Sequence, residues 1–209
     1  MENFIQEIVS SISQLLILVL IPFLFYLFKR KQYASFSQYI GFTKPNAQSV
    51  QYALLIAVLF STLGIGLFFL NDGLREALLT PQSVSGKLRL SGFSTATILS
   101  LLLIAWVKTS LSEEIFFRGF IGKRLINLLG FAWGNLSQAL LFGLLHFVLF
   151  MQLTELPYMA LLVILLSTTI IGWLVGFVKD RVGNGSIVPG WIAHGIGNTL
   201  SYALVAFVL

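Results

Sequence analysis

Two glutamates, two histidines, an arginine and an asparagine are conspicuous in a chain made mostly of apolar residues. They fall into three short patterns, Glu113-Glu114-x-x-x-Arg118, Phe142-x-x-x-His146 and His194-x-x-x-Asn198, which contain both histidines of the protein. A helix turns about 100° per residue, so Glu114 and Arg118 share a face while Glu113 points away from it. An acid four residues ahead of a base is the favoured order for an ion pair on one helix. Arg118 can therefore neutralise Glu114 and leave Glu113 free for chemistry. His194 and Asn198 are also one turn apart, and both can donate hydrogen bonds to a developing oxyanion in a water-poor site. Each pattern has a plainer explanation when taken alone. The two acids, with Lys108, Lys123 and Arg124, could form a charged interfacial face. His146 could be a packing residue, and His194 and Asn198 could bridge two helices that Gly195 and Gly197 allow to approach closely.

The elements that must hold these groups are set by composition. Of 209 residues, 57% are hydrophobic and 10% charged, whereas soluble domains carry about 25% charged residues. A soluble fold of this length leaves too much surface in water to hide so many Leu, Ile, Val and Phe side chains. Soluble enzymes, nucleic-acid binders and disordered chains are excluded. The net charge of +5 is read as a topology signal. No cysteine is present, which excludes disulfides, thiolate metal sites and a cysteine nucleophile.

Six stretches lack Asp, Glu, Lys and Arg: Ile8 to Phe28, Pro45 to Asn71, Leu90 to Val107, Leu125 to Thr154, Leu156 to Val178 and Val182 to Leu209. Each approaches or exceeds the ~20 residues a spanning helix needs. Only helices or closed barrels satisfy the backbone in lipid, and no ten-residue alternation marks a barrel. The predicted fold is all-α, a polytopic transmembrane bundle of six to eight membrane helices forming one domain over residues 1–209. Its N-terminal spans are expected at about 4–28 and 47–70, and a motif-bearing core at about 93–205. The first run should be kept as a span, since Met1 is followed by Glu2 and Glu7 and not by a basic segment. The basic loop from Lys29 to Lys44 should be cytoplasmic, with the N-terminus outside. The segment from Thr80 to Gly92 is expected as an exposed loop. Residues 92–130 form either one long span with an extension or two spans meeting near Ser110. Gly172 and Gly176 form a small-residue pair suited to helix packing. Glu113 lies 17 residues before Gly130 and His146 lies 16 after it, so an antiparallel hairpin at Gly130 would bring them to similar depth.

Taken together, the segments SEEIFFRGF, LLFGLLHF and WIAHGIGNT, over roughly Ser100 to Tyr202, resemble the CAAX proteases and bacteriocin-processing enzymes. This CPBP or Abi family includes the type II CAAX prenyl endopeptidases. The resemblance implies intramembrane peptide-bond hydrolysis. Glu113 would activate water with help from His146, His194 and Asn198 would stabilise the oxyanion, and Glu114 and Arg118 would hold the site together. A carboxylate taken out of bulk water is the more capable base. Glu113, His146 and His194 could alternatively be zinc ligands around an open position. No HExxH helix preorganises them, and the resemblance implies a metal-free mechanism, so no cofactor is expected and zinc is the alternative. Two non-enzymatic readings stay open. One is a proton relay through Glu113, Glu114 and His146, which lacks the matching halves of a transporter. The other is a bacteriocin-immunity or membrane binding protein. Expected partners are membrane lipid and a lipidated or membrane-inserted peptide or protein, with no nucleic acid. The expected location is a prokaryotic plasma membrane.

Overall fold

A computed structural model describes residues 2–153 and 156–209. Met1, and Thr154 at the expected end of the fourth charge-free run, lie outside them. The described residues form a helical bundle without strands. Four stretches are long and apolar enough to cross a membrane, Phe4–Gln32, Ala47–Leu70, Thr95–Gln152 and Tyr158–Val182. Large apolar side chains face outward along them, such as Leu16 at 63% and Leu55 at 65% exposure. That surface belongs in lipid, and the protein is an integral membrane bundle.

Helix α1 (Glu2–Lys29) ends at the Lys29-Arg30-Lys31 cluster. A short α2 (Phe36–Ile40) follows, capped by the Ser35 side chain. Asn46 caps α3 (Ala47–Leu70) by accepting from the Ser49 amide. Asn71 then closes α3 and caps α4 (Asp72–Leu79), as its turn-forming neighbours suggest. The segment expected as an exposed loop instead contains helix α5 (Val84–Ser91), started by a Ser83 cap that accepts from the Gly86 amide. Leu88 explains the difference, because it packs with Leu101 and Ala206 and is only 3% exposed. One apolar anchor suffices to draw a polar segment onto the bundle.

Helix α6 (Thr95–Leu103) continues without a break into α7 (Lys123–Leu153), so residues 92–130 hold one long helix and not two meeting near Ser110. Two stretches of this rod are wound more widely, as π-helix, at Ile104–Leu111 and Glu114–Gly122. Hydroxyls support the first. Thr109 Oγ1 donates to Ile104 O at 3.0 Å and Ser110 Oγ to Ala105 O at 2.5 Å, contacts five residues back that compete with the usual ladder. Gly119 does not break the rod; it lets Ile40 O approach to where a Cβ would be 2.6 Å away. The reversal comes at Gly130, with φ 75° and ψ 169°, a conformation that a side chain would strain.

Helix α8 (Tyr158–Phe177) is extended by one wide turn, Val178–Val182. It packs on the second arm of α7 through Gly172 and Gly176. A Cβ on Gly172 would be 3.2 Å from Phe142 Cδ1, and one on Gly176 would overlap Asn135 Oδ1. Helix α9 (Val188–Phe207) returns through the middle of the bundle. Trp191 Nε1 donates to Trp106 O at 2.7 Å and the two indoles meet edge to face. Gly195 and Gly197 face Trp106 and Phe60, which would collide with added Cβ atoms.

Helix ends gather at two poles. At one, Asn46 Nδ2 reaches Val182 O at 2.6 Å, Ile187 N reaches Gly41 O at 2.9 Å and Lys123 Nζ reaches Tyr39 O at 2.9 Å. At the other, Phe93 meets Phe207 at 5.5 Å and Arg89 Nη1 approaches Val205 O at 3.4 Å.

Candidate active site

The hairpin at Gly130 places the first two motifs opposite each other. Gly122 lies against Gln138 and the Phe117 and Phe142 rings are 5.2 Å apart, pairs spaced almost symmetrically about Gly130. Continued one turn beyond the Phe117–Phe142 pair, that register sets Glu113 opposite His146. Both line a cavity of about 210 Å³, together with Phe142, His194 and Asn198. The four side chains expected to do chemistry therefore share one space, drawn from three helical arms.

Glu113 sits between the two wide windings and is 12% exposed. Its Oε2 is buried without a hydrogen-bond partner in the protein and lies 3.8 Å from His194 Nε2. His194 Nδ1 in turn lies 3.7 Å from Glu114 Oε1. One imidazole thus stands between the two adjacent carboxylates, and Glu113 and Glu114 address its two different nitrogens. His146 is arranged differently. Its Nδ1 lies 2.9 Å from the Phe142 carbonyl oxygen, an acceptor only, so Nδ1 carries the hydrogen and Nε2 keeps its lone pair. Asn198 Nδ2 donates to Thr109 Oγ1 at 2.9 Å, which leaves its second N–H uncommitted.

Glu114 and Arg118 form the support. Arg118 Nη1 is 3.3 Å from Glu114 Oε1 and each side chain is 1% exposed. The guanidinium also lies over the Phe142 ring, 4.1 Å from its centroid. Gly190 and Gly172 make room for this pair, since added Cβ atoms would overlap Glu114 Oε2 and lie 3.3 Å from Arg118 Nη2. A void of about 10 Å³ beside Glu114, Arg118 and His194 is at the lower limit for a single water. The pair does not belong to a charged interfacial face. Lys108 is engaged by Glu7 at 3.1 Å, while Lys123 and Arg124 contact Tyr39 and Phe120 at the far end of the rod.

Two contributors escaped the sequence reading. Thr109, which anchors Asn198, carried no motif. Tyr202 lines the cavity; its signal was the continued four-residue spacing after His194 and Asn198. Phe60 of α3 also lines the cavity, with its ring 6.0 Å from that of His194. Glu113, His146 and His194 share the cavity, yet no three His, Asp or Glu side chains among the described residues are grouped as metal ligands.

The arrangement offers a carboxylate facing a cavity, an imidazole with a free lone pair, and two N–H donors. These are the parts that water activation and oxyanion stabilisation require. Residues 95–200, which include every residue of the three motifs, match the family described as Rce1-like: Type II CAAX prenyl endopeptidase Rce1-like. No curated protein and no solved structure matches the chain.

Proposed function

The chain belongs to the type II CAAX prenyl endopeptidase Rce1-like family, and from that premise we propose an intramembrane endopeptidase in which Glu113 activates the attacking water. The observation that carries this reading is the convergence of Glu113, His146, His194 and Asn198 on one cavity. A water between Glu113 and His146 Nε2 gives a proton to the Glu113 carboxylate as its oxygen attacks the scissile carbonyl carbon. The carbonyl oxygen becomes an oxyanion, met by N–H groups of Asn198 and His194. When the tetrahedral intermediate collapses, the C–N bond breaks and the departing amine takes the proton from Glu113. Glu114 and Arg118 hold His194 from behind. Thr109 holds Asn198.

The substrate in this reading is a lipidated or membrane-inserted peptide or protein, since the cavity is enclosed by apolar helices. The cellular setting is a prokaryotic plasma membrane, with the whole chain acting as one membrane domain. A zinc-dependent version using Glu113, His146 and His194 is the alternative, although these side chains are not gathered into a three-ligand group among the described residues. A binding-only immunity role is the non-catalytic alternative. In proteoliposomes carrying membrane-anchored peptides, Glu113→Gln should lower cleavage by about 10²–10⁴-fold, the contribution of a positioned base, with thermal unfolding unchanged. An immunity role based on binding would survive the same substitution.

A further inference from the structure

A second cavity lies at the pole where Phe93 meets Phe207, and no residue of the three motifs lines it. It measures about 460 Å³, within the range of sites that hold small molecules. Its walls come from the first two turns of α1, the last turn of α5 and the first two turns of α6. The spans that include α1 and α6 begin at Phe4 and Thr95, so this cavity sits where the apolar layer meets the headgroups.

The wall is polar for a bundle so rich in Leu and Phe. Ser94, Thr97 and Ser100 follow one side of α6 at three-residue spacing. Ser94 Oγ and Thr97 Oγ1 are hydrogen-bonded at 2.8 Å, and across from them Ser91 Oγ donates to Lys87 O at 2.9 Å. Ser100 is not engaged in this way. It is only 8% exposed, lines the cavity, and its hydroxyl has no hydrogen-bond partner among the described residues. A buried hydroxyl is costly to leave so. The leading amides of α6 beside it have no carbonyl one turn behind them, an arrangement that favours an anion.

Charge decides the sign of the ligand. Glu7 lines the cavity but is held by Lys108 at 3.1 Å, a neutral pair. Lys87, exposed at the end of α5, forms no ion pair among the described residues. The cavity therefore has one uncompensated positive charge, set among hydroxyls and free amides, and a phosphodiester is the complementary group. The Gln6 amide and the serine hydroxyls suit a headgroup that is itself hydroxylated, whereas an ammonium would find Glu7 already taken. Ile5 and Val9 of α1 and Leu99 and Leu102 of α6 are exposed, so the same two helices offer apolar tracks for acyl chains. We infer that this cavity seats the head of an anionic phospholipid of the phosphatidylglycerol class, its phosphate on Lys87 and a headgroup hydroxyl on Ser100. The bound lipid ties the start of α1, where Glu7 meets Lys108 and Gln14 Nε2 donates to Lys108 O at 2.8 Å, to α5 and α6.

The chain has no cysteine, so Ala96→Cys places a single thiol on the cavity wall at an exposed position. Its alkylation by N-ethylmaleimide is timed on the full chain in dodecyl maltoside micelles doped with phosphatidylglycerol, phosphatidylethanolamine or phosphatidylcholine, or with inorganic phosphate in the buffer. Phosphatidylglycerol should slow alkylation about 10-fold once it exceeds its Kd by about that factor, and the other three should leave the rate unchanged. In the same background Lys87→Ala should raise the lipid fraction needed for protection about 10-fold. Ser100→Ala should raise it by less, and Lys31→Ala, at the opposite pole, should leave it unchanged. All variants should unfold at the same temperature in lipid-free micelles. Equal protection by another lipid or by inorganic phosphate overturns the inference. Protection that survives Lys87→Ala, or that falls equally with Lys31→Ala, overturns it too, as does a rate that no lipid alters. Alkylation is read without a cleavage assay, so either result leaves the peptidase reading to its own test.

Discussion

Replacing Arg118 by Met tests whether Glu114 is held as a buried charge. The two groups are 3.3 Å apart with each side chain 1% exposed, and an effective dielectric of about 20 makes their attraction about 5 kcal/mol. Desolvation offsets much of that while both partners are present. Removing one partner leaves the other charge buried without compensation, so Arg118→Met should destabilise by about 3–5 kcal/mol. Adding Glu114→Gln removes the stranded charge and should restore most of the loss. The remaining deficit, about 1–2 kcal/mol, reflects the lost contact of the guanidinium with the Phe142 ring. Reversible unfolding in mixed micelles, followed through the four tryptophans, measures all three proteins. Neither variant should cleave normally, because His194 Nδ1 faces Glu114 Oε1 at 3.7 Å and loses its support. A single variant that loses less than about 1 kcal/mol, or a double variant no more stable than the single, would refute a buried ionic support at this site.

Other expectations follow from the same geometry. Gly190→Ala places a Cβ on Glu114 Oε2 and 2.6 Å from Val175 Cγ1. Although Ala is favoured over Gly in a helix by about 1 kcal/mol, overpacking of about 1–3 kcal/mol should dominate and lower both stability and cleavage; a stabilised, active variant would place Glu114 elsewhere. Asn198→Ala should lower the cleavage rate by about 10²–10³-fold as an oxyanion donor is lost. Thr109→Val should cost less, because Asn198 keeps its amide and loses only its anchor, and equal losses would argue that Thr109 itself meets the substrate. Chelator treatment followed by zinc addition should leave cleavage unchanged; loss and zinc-dependent recovery would favour the metal version.

Much of the site was legible because helices convert spacing into direction. The separation of Glu113 from the Glu114–Arg118 face, and the pairing of His194 with Asn198, needed only the rotation per residue. The similar depth of Glu113 and His146 needed one more assumption, a reversal at Gly130, which its backbone angles supply. The misses have a common origin. Helix α5 forms because Leu88 finds Leu101 and Ala206, contacts remote in sequence. Thr109 matters through the hydrogen bond it accepts from Asn198 of another helix, and no local pattern around Thr109 announces it.

The sequence alone determined that this chain lives in lipid as a helix bundle, since apolar composition and the need to satisfy the backbone leave no other solution. It also determined which ionisable groups were too costly to be accidental among apolar runs. Tertiary structure decided what those groups face: His194 between two carboxylates, His146 with a free ring nitrogen, and Asn198 tied to Thr109. It also decided which residues of separate helices line one cavity. Rotation about a helix axis is a local property that spacing reveals. The distance between two helices depends on side chains packing across the bundle from residues remote in the chain, as in the hydrogen bond from Asn46 to Val182, 136 positions apart.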